Sequence, residues 1–480
     1  MKRFLAILFA SLMLVGLCPA ATMAEAAGPK VLGYSLLSEI WIYEPRVTAI
    51  AIEFDKPLAC AFDIGSYFQV NAELKELTSY EGVALPDTSW PMAPRKVVTA
   101  YTSSVPEKGV VNAGNYVIIE LSDLDSNATS IYMSLKRNTL DPDKKLGYNG
   151  GREILPYGDN MIYEIKQLYD LKYADGTTTG TDFTYERRGS SIAIADEFVP
   201  GTYTSATTAI TGITKDPITS IGYTLYSPPQ VVEGEKYPLV VFLHGSSCRS
   251  VYEPGVDDRM TPVYTNQGPT TWIKNATPNT YVFVPQYEWA TVQLVKEALQ
   301  AVLSDDTLAV DRDRIYLSGL SMGGMSGWEL LLDPQFKDLF AGALLCCDYP
   351  VTDIAHSSFD VLSDEMCAKI KALADSGLPI WLNHSNTDPT VPVAGSIMAY
   401  KAMLGIGMEE DMPAPKFAND EMTYYESENG KIRFTELNFL TDRRNVNLGM
   451  YSVSAHEVYE HTYSTPEYIQ WLFAQTKTQN

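Results

Sequence analysis

Asp311-Arg312-Asp313-Arg314-Ile315-Tyr316-Leu317-Ser318-Gly319-Leu320-Ser321-Met322-Gly323-Gly324 decides how this chain reads. Residues 313–318 carry the apolar, β-branched and aromatic pattern of a strand, and residues 324–332 have helical spacing. Between them lies Gly319-Leu320-Ser321-Met322-Gly323, the only G-x-S-x-G in the sequence. A serine on a tight strand-to-helix turn is a nucleophile elbow. The turn holds the serine in a strained conformation, and the flanking glycines let neighbouring backbone approach without a side-chain clash. Ser321 is then exposed above a sheet, with a helix N-terminus behind it that favours developing negative charge.

Working outward, strands and helices alternate from about residue 192 to the end. Residues 237–243, 280–285, 339–345, 378–382 and 431–439 read as further strands. Residues 291–303, 364–374, 396–403 and 466–474 read as helices. Fully apolar strands alternating with amphipathic helices imply a mainly parallel sheet covered on both faces. Residues 403–429 break the rhythm with Gly405, Gly407, Pro413, Pro415 and the acidic run Glu409-Glu410-Asp411, and read as a surface insertion.

A serine needs a base, and in this architecture the order is Ser, then Asp or Glu, then His. The chain has five histidines, and His244 precedes the serine. Asp388, in Asn386-Thr387-Asp388-Pro389-Thr390-Val391-Pro392, follows a strand where such sheets place functional groups. Asp348 and Asp353 are rival acids after the preceding strand. With Asp388 as the acid, only His456 and His461 come late enough to be the base. The backbone N–H groups of Met322, after the nucleophile, and Ser246, after the strand ending in His244-Gly245, are the expected oxyanion donors. His244 and His384 read as structural.

His456-Glu457-Val458-Tyr459-Glu460-His461 imitates a zinc-protease helix, but its histidines stand at i and i+5, about 140° apart on a helix rather than on one face. No metal and no cofactor is expected. Asp123-Leu124-Asp125-Ser126-Asn127 begins like a calcium loop, yet lacks the glycine and glutamate that such a loop requires, and reads as a solvated turn.

Residues 30–188 have a different grammar. Short β-rich runs, including 47–54, 96–101 and 116–121, are separated by turn clusters and show little helical periodicity, as in a β-sandwich. Ahead of them, Lys2 and Arg3, an apolar stretch over 4–17 and Ala24-Glu25-Ala26 have the form of a cleaved signal peptide over residues 1–26. Leu17 before Cys18 argues against a lipoprotein. The domains therefore read as 1–26 signal peptide, 27–190 β-sandwich and 191–480 catalytic domain. No segment has the roughly 20 apolar residues of a spanning helix, and the expected location is extracellular. Cleavage leaves Cys60, Cys248, Cys346, Cys347 and Cys367, an odd set in which one bridge is conceivable and adjacent Cys346 and Cys347 read as buried.

The 480 residues carry 36 Lys+Arg against 59 Asp+Glu, a net charge of −23. That balance excludes nucleic acid or an anionic membrane surface as the expected partner, because both require clustered cations.

The stretch around Ser321 closely resembles secreted α/β-hydrolase esterases often labelled "predicted peptidase", relatives of polyhydroxyalkanoate depolymerases and feruloyl esterases. Leu243-His244-Gly245 resembles their oxyanion strand. His384 through Asp388 to Pro392 resembles their H-G-x-x-D-x-x-V-P, with Ser385 in place of glycine. His456-Glu457-Val458-Tyr459, with Tyr463 and Trp471-Leu472, resembles their ending, with Tyr459 for tryptophan and Glu457 for aspartate. The resemblance spans residues 198–480 and selects His456 over His461. It implies an α/β-hydrolase fold, preceded in one subgroup by an immunoglobulin-like domain, and hydrolysis of carboxylic esters, mostly of short acyl chains and without a cofactor. The expected substrate is a small-molecule or polymer-borne ester, cleaved by Ser321, Asp388 and His456 through an acyl-enzyme. The competing readings are a serine peptidase or acyltransferase on the same three residues, and a non-catalytic polysaccharide-binding surface protein.

Overall fold

The computed structural model describes residues 30–41, 44–75, 79–80, 83–84, 89–133, 154–156, 160–213, 216–250, 258–336, 338–356, 359–438 and 454–477. The expected signal peptide lies outside them. The N-terminal region forms two facing antiparallel-rich sheets. One has five strands in the order Arg187–Ile192, Val31–Ile40, Pro45–Leu58, Gly114–Leu121 and Val97–Ser103. The other has three, Met161–Gln167, Phe68–Leu74 and Trp90–Arg95. Val47, Ile50, Ile52, Phe54, Val70, Ala72, Val117, Ile119 and Tyr163 fill the space between. The alternation 50, 52, 54 along one strand is the period-2 burial of a sandwich. The final strand, Arg187–Ile192, pairs in parallel with Val31–Ile40, so this sheet extends to Ile192.

The expected solvated turn around Asp123 and Asp125 is anchored instead. Buried Arg95 donates from Nε to Asp125 Oδ2 at 3.0 Å and from Nη2 to the carbonyls of Val47 and Ser122 at 2.8 and 2.9 Å. The Asp125 carboxylate is thus occupied by a guanidinium and by the Lys96 N–H at 2.8 Å.

The remainder builds one ten-stranded sheet among the described residues. Its strands are β1 (Val199–Thr204), β2 (Ser220–Tyr226), β3 (Tyr237–Leu243), β4 (Tyr281–Gln286), β5 (Val310–Leu320), β6 (Gly342–Cys346), β7 (Ile380–Ser385), β8 (Phe417–Ala418), β9 (Met422–Glu426) and β10 (Ile432–Leu437). The order across the sheet is β1-β2-β4-β3-β5-β6-β7-β10-β9-β8. Pairing is parallel from β4 through β10 and antiparallel at both edges. Helices α1 (Gly268–Asn275), α2 (Val292–Ser304), α3 (Met322–Leu332), α4 (Asp364–Asp375), α5 (Ala394–Leu404), α6 (Val458–Ser464) and α7 (Pro466–Phe473) cover it.

Strand β3 shows why both faces are covered. Leu239, Val241 and Leu243 belong to one buried cluster with residues of α2, α3, α4 and α5, whereas Val240 and Phe242 belong to another with Trp272 of α1 and Tyr463, Ile469 and Leu472 of α6 and α7. Every residue of the strand is buried, and a parallel strand enclosed between two helical layers requires that. The molecule is an α/β hydrolase preceded by an immunoglobulin-like sandwich.

One further expectation needs correction. Residues 403–429 are not only a surface loop, because 417–418 and 422–426 form β8 and β9 and extend the sheet edge antiparallel. Among the described residues no disulfide forms, and all five cysteines are thiols. Cys346 and Cys347 are both buried. Burial pushes the Cys346 thiol up to about 12 and the Cys347 thiol well above its ordinary value.

Candidate active site

Strand β5 enters the elbow at Leu320, and α3 leaves it at Met322. Ser321 between them has φ 54° and ψ −121°, a conformation that side-chain-bearing residues rarely adopt. The Ser321 N–H is secured by the Cys346 carbonyl at 3.0 Å, and the Ser321 carbonyl accepts from the Met325 N–H at 3.0 Å. A Cβ on Gly323 would lie 1.9 Å from the Leu243 carbonyl oxygen. Only glycine lets α3 start this close to the end of β3.

That approach brings the loop after β3 beside the nucleophile. A Cβ on Gly245 would lie 2.7 Å from Leu320 Cδ1 and 3.6 Å from Ser321 Cβ. Ser246 opens the one-turn 3-10 helix Ser246–Cys248 next to it, and Met322 is the first residue of α3. First-turn N–H groups have no partner within their own helix, so Met322 is an available donor type at the place an oxyanion would form. The loop continues to Arg249, whose guanidinium lies 3.4 Å from the Glu288 carboxylate and 5.5 Å from the Trp289 ring centroid.

His244 supports this loop from below. It is fully buried, its Nδ1–H donates to the Gly245 carbonyl at 2.9 Å, and its Nε2 accepts from the Tyr287 N–H at 3.4 Å. Burial holds the imidazole down at about 4, against the weaker upward pull of its hydrogen bonds, so it is neutral at ordinary pH. The structural reading of His244 holds.

Asp388 follows β7 and His456 follows β10 in the chain. The His456 Nε2 atom lies 2.9 Å from Ser321 Oγ, and its Nδ1 lies 2.7 Å from Asp388 Oδ2. His456 sits on the short 3-10 turn Ala455–Glu457, which a capping box fixes. The Ser454 side chain accepts from the His456 N–H at 3.2 Å, and the Glu457 carboxylate accepts the Ser454 N–H at 2.5 Å. Ser454-Ala455-His456-Glu457 is the S-x-x-E pattern. It was legible in the sequence, and it gives Glu457 a structural task that the residue pattern alone had left open.

Asp388 lies in the loop after β7, with its side chain fully buried. Its Oδ1 accepts the N–H groups of Thr390 and Val391 at 2.7 and 2.9 Å. Burial raises the carboxyl, but hydrogen bonds from His384 and His456 outweigh it and hold Asp388 well below the usual carboxylate range. The carboxylate is therefore ionised and faces an imidazole N–H, as an orienting acid must.

The rival candidates fall elsewhere. Asp348 contacts Trp328 Nε1 at 2.7 Å and Ser396 Oγ at 3.3 Å, and Asp353 accepts from the Ala355 N–H at 3.0 Å. The His461 ring packs edge-on to Tyr468, with centroids 6.0 Å apart. Among the described residues, the potential metal-ligating cluster is Cys347, Asp388 and His456, with ligand-type atoms within 4.8 Å of one another. His461 is not part of it, and both nitrogens of His456 already make hydrogen bonds.

Residues 33–180 match the family model described as the esterase Ig-like N-terminal domain. Among solved structures, one titled as a thermostable esterase is 24% identical, with a TM-score of 0.63, covering 93% of this chain and 100% of that one. An acetyl xylan esterase from Aspergillus awamori is 13% identical over 51% of this chain and 99% of that one, with a TM-score of 0.33. An acylaminoacyl peptidase is 13% identical over 91% of this chain and 70% of that one, with a TM-score of 0.36. The last two carry no argument at such scores. No curated protein gives a significant match. The first two matches bear out the expected esterase-type hydrolase with an immunoglobulin-like N-terminal domain.

Proposed function

We propose that the chain is a serine esterase that hydrolyses carboxylic esters through an acyl-enzyme. The observation that carries this is the hydrogen-bonded series Ser321 Oγ, His456 Nε2, His456 Nδ1, Asp388 Oδ2, at 2.9 and 2.7 Å, on a strained elbow. The matched N-terminal domain, described by its attachment to esterases, supports the same reaction class.

In this reading His456 Nε2 takes the Ser321 proton as Oγ attacks the ester carbonyl. The N–H groups of Met322 and Ser246 receive the developing oxyanion. Collapse expels the alcohol, which takes the proton from His456 and leaves an acyl group on Ser321. Water, deprotonated by His456, then releases the acid. Asp388 stays ionised throughout and holds the imidazole tautomer. We further propose that the protein is exported, with residues 1–26 removed, and that its substrates carry short acyl chains.

The test is hydrolysis of p-nitrophenyl acyl esters of increasing chain length by wild type and Ser321→Ala, with p-nitroanilide amides in parallel. Turnover should fall by at least about 10³-fold in the variant, since removing one member of such a triad disables the unit. The rate should be highest for the shortest acyl groups. Wild-type turnover that survives in Ser321→Ala would refute the nucleophile, and amide cleavage faster than ester cleavage would move the reaction to a peptidase.

A further inference from the structure

A second buried histidine stands behind the acid. His384, at the end of β7, places Nε2 3.2 Å from Asp388 Oδ2, the same oxygen that faces His456, and 3.0 Å from the Val391 carbonyl. Its Nδ1 lies 2.8 Å from Ser396 Oγ, near the start of α5. Ser396 Oγ in turn lies 3.3 Å from Asp348 Oδ2, and Trp328 Nε1 donates to Asp348 Oδ1 at 2.7 Å. His384, Ser396 and Asp348 are all fully buried. The string runs from α3 through the end of β6 and α5 to the loop that carries the acid.

The partners determine the protons. The Val391 carbonyl only accepts, and Asp388 is ionised, so His384 Nε2 carries a hydrogen and donates to both. Ser396 has one hydroxyl hydrogen and two neighbours, His384 Nδ1 and Asp348. Either neighbour can accept that hydrogen, and in both arrangements the Nε2–H stays aimed at Asp388. Burial raises the Asp348 carboxyl, and Glu436, facing His384 from β10, is raised by burial as well.

We propose that His384 is a positioning residue for the reaction, its Nε2–H clamping Asp388 Oδ2 so that the carboxylate presents a fixed lone pair to His456. The Asp348–Ser396 pair holds the His384 ring in place. This rests on the serine-esterase reading, and it adds a residue that touches neither substrate nor nucleophile. A buried carboxylate oxygen with two imidazole donors has less rotational freedom than one with a single donor, so the gain is in the orientation of His456.

A double-mutant cycle on p-nitrophenyl acetate tests it, in wild type, His384→Leu, Asp388→Asn and the double variant, with His384→Gln, Ser396→Ala and Ser321→Ala alongside. His384→Leu should lower kcat by about 10–100-fold with KM changed less than about twofold. In the Asp388→Asn background the same change should cost under about threefold, because its route through Asp388 is already cut. His384→Gln, which retains an N–H at the Nε2 position, should recover most of the loss, and Ser396→Ala should lower kcat by about 2–10-fold even if the leucine variant does not fold. An equal loss in both backgrounds, a glutamine variant no better than leucine, or wild-type kcat in Ser396→Ala would overturn the proposal. Absence of Ser321-dependent turnover in wild type would sink the esterase reading and this one with it, and the wild-type and Ser321→Ala rates alone reveal that case.

Discussion

Three histidines lie around one serine, and burial and partners separate their tasks. His456 keeps 15% side-chain exposure and bridges Ser321 and Asp388. His384 is sealed behind Asp388. His244 is sealed beneath the loop after β3, held down at about 4 by burial. Against an unfolded value of about 6.5, folded His244 resists protonation, so the unfolded chain binds more protons between pH 4 and 6.5. Stability linked to this residue is therefore present above about pH 6.5 and lost as the pH falls, by on the order of 3 kcal/mol at pH 4. Desolvation raises Glu288, Glu329, Asp348 and Glu436 instead, and they pull the opposite way, so the total slope does not isolate His244. The comparison that does is the urea midpoint of wild type and His244→Gln between pH 4 and 7. The gap between them should narrow as the pH falls, and a gap independent of pH would contradict the assignment.

At the scale of elements, the elbow depends on backbone passing close to backbone. Gly323 faces the Leu243 and His244 carbonyl oxygens at 1.9 and 2.8 Å from a would-be Cβ. Gly323→Ala should therefore push α3 off β3, costing a few kcal/mol in the urea midpoint and at least about tenfold in kcat. Unchanged stability and rate would contradict the close approach. The central strands were legible because burial on both faces writes an apolar run, as in residues 237–243, and Ser321 and Asp388 were legible because each follows a strand whose C-terminal half is buried on both faces. Helices α1 and α6 were not. Gly268-Pro269-Thr270-Thr271 opens α1 with poor helix formers, and six of its eight residues are buried, so it shows no polar face. In α6, Val458-Tyr459 and Thr462-Tyr463 have strand-like composition, and packing under the sheet overrides it: Asn383 Nδ2 donates to Thr462 Oγ1 at 3.2 Å, and Tyr463 Oη lies 3.1 Å from Ser318 Oγ. The hairpin β8-β9 did leave a sign. Met422-Thr423-Tyr424-Tyr425-Glu426 is β-rich, but the glycines, prolines and acidic run before it dominated the reading of 403–429. The proximity of His384 to the acid was beyond sequence pattern altogether, because a histidine four residues before an aspartate says nothing of how the loop turns back.

Across the whole molecule, the two domains keep separate cores and meet on one flank. Ile40, Ile192 and Ile194 pack against the layer that holds α1, α6 and α7. Lys274 and Glu39 approach to 3.6 Å across the junction, an exposed pair that contributes little. The side-chain partners of Ser321, Asp388 and His456 all come from the hydrolase domain, after residue 320. Among the described residues the sandwich therefore supplies no side-chain partner to these three. No described helix is long and apolar enough to cross a membrane. The central claim concerns one covalent bond, between an acyl group and Ser321 Oγ. Its most direct measurement is mass spectrometry of the full-length protein mixed with p-nitrophenyl acetate, quenched in acid within the first turnovers and digested. The account predicts one acetyl group on the peptide containing Ser321, present in His456-competent protein and absent from Ser321→Ala. An adduct on another residue, or ester turnover with no acyl-enzyme at any time, would contradict it.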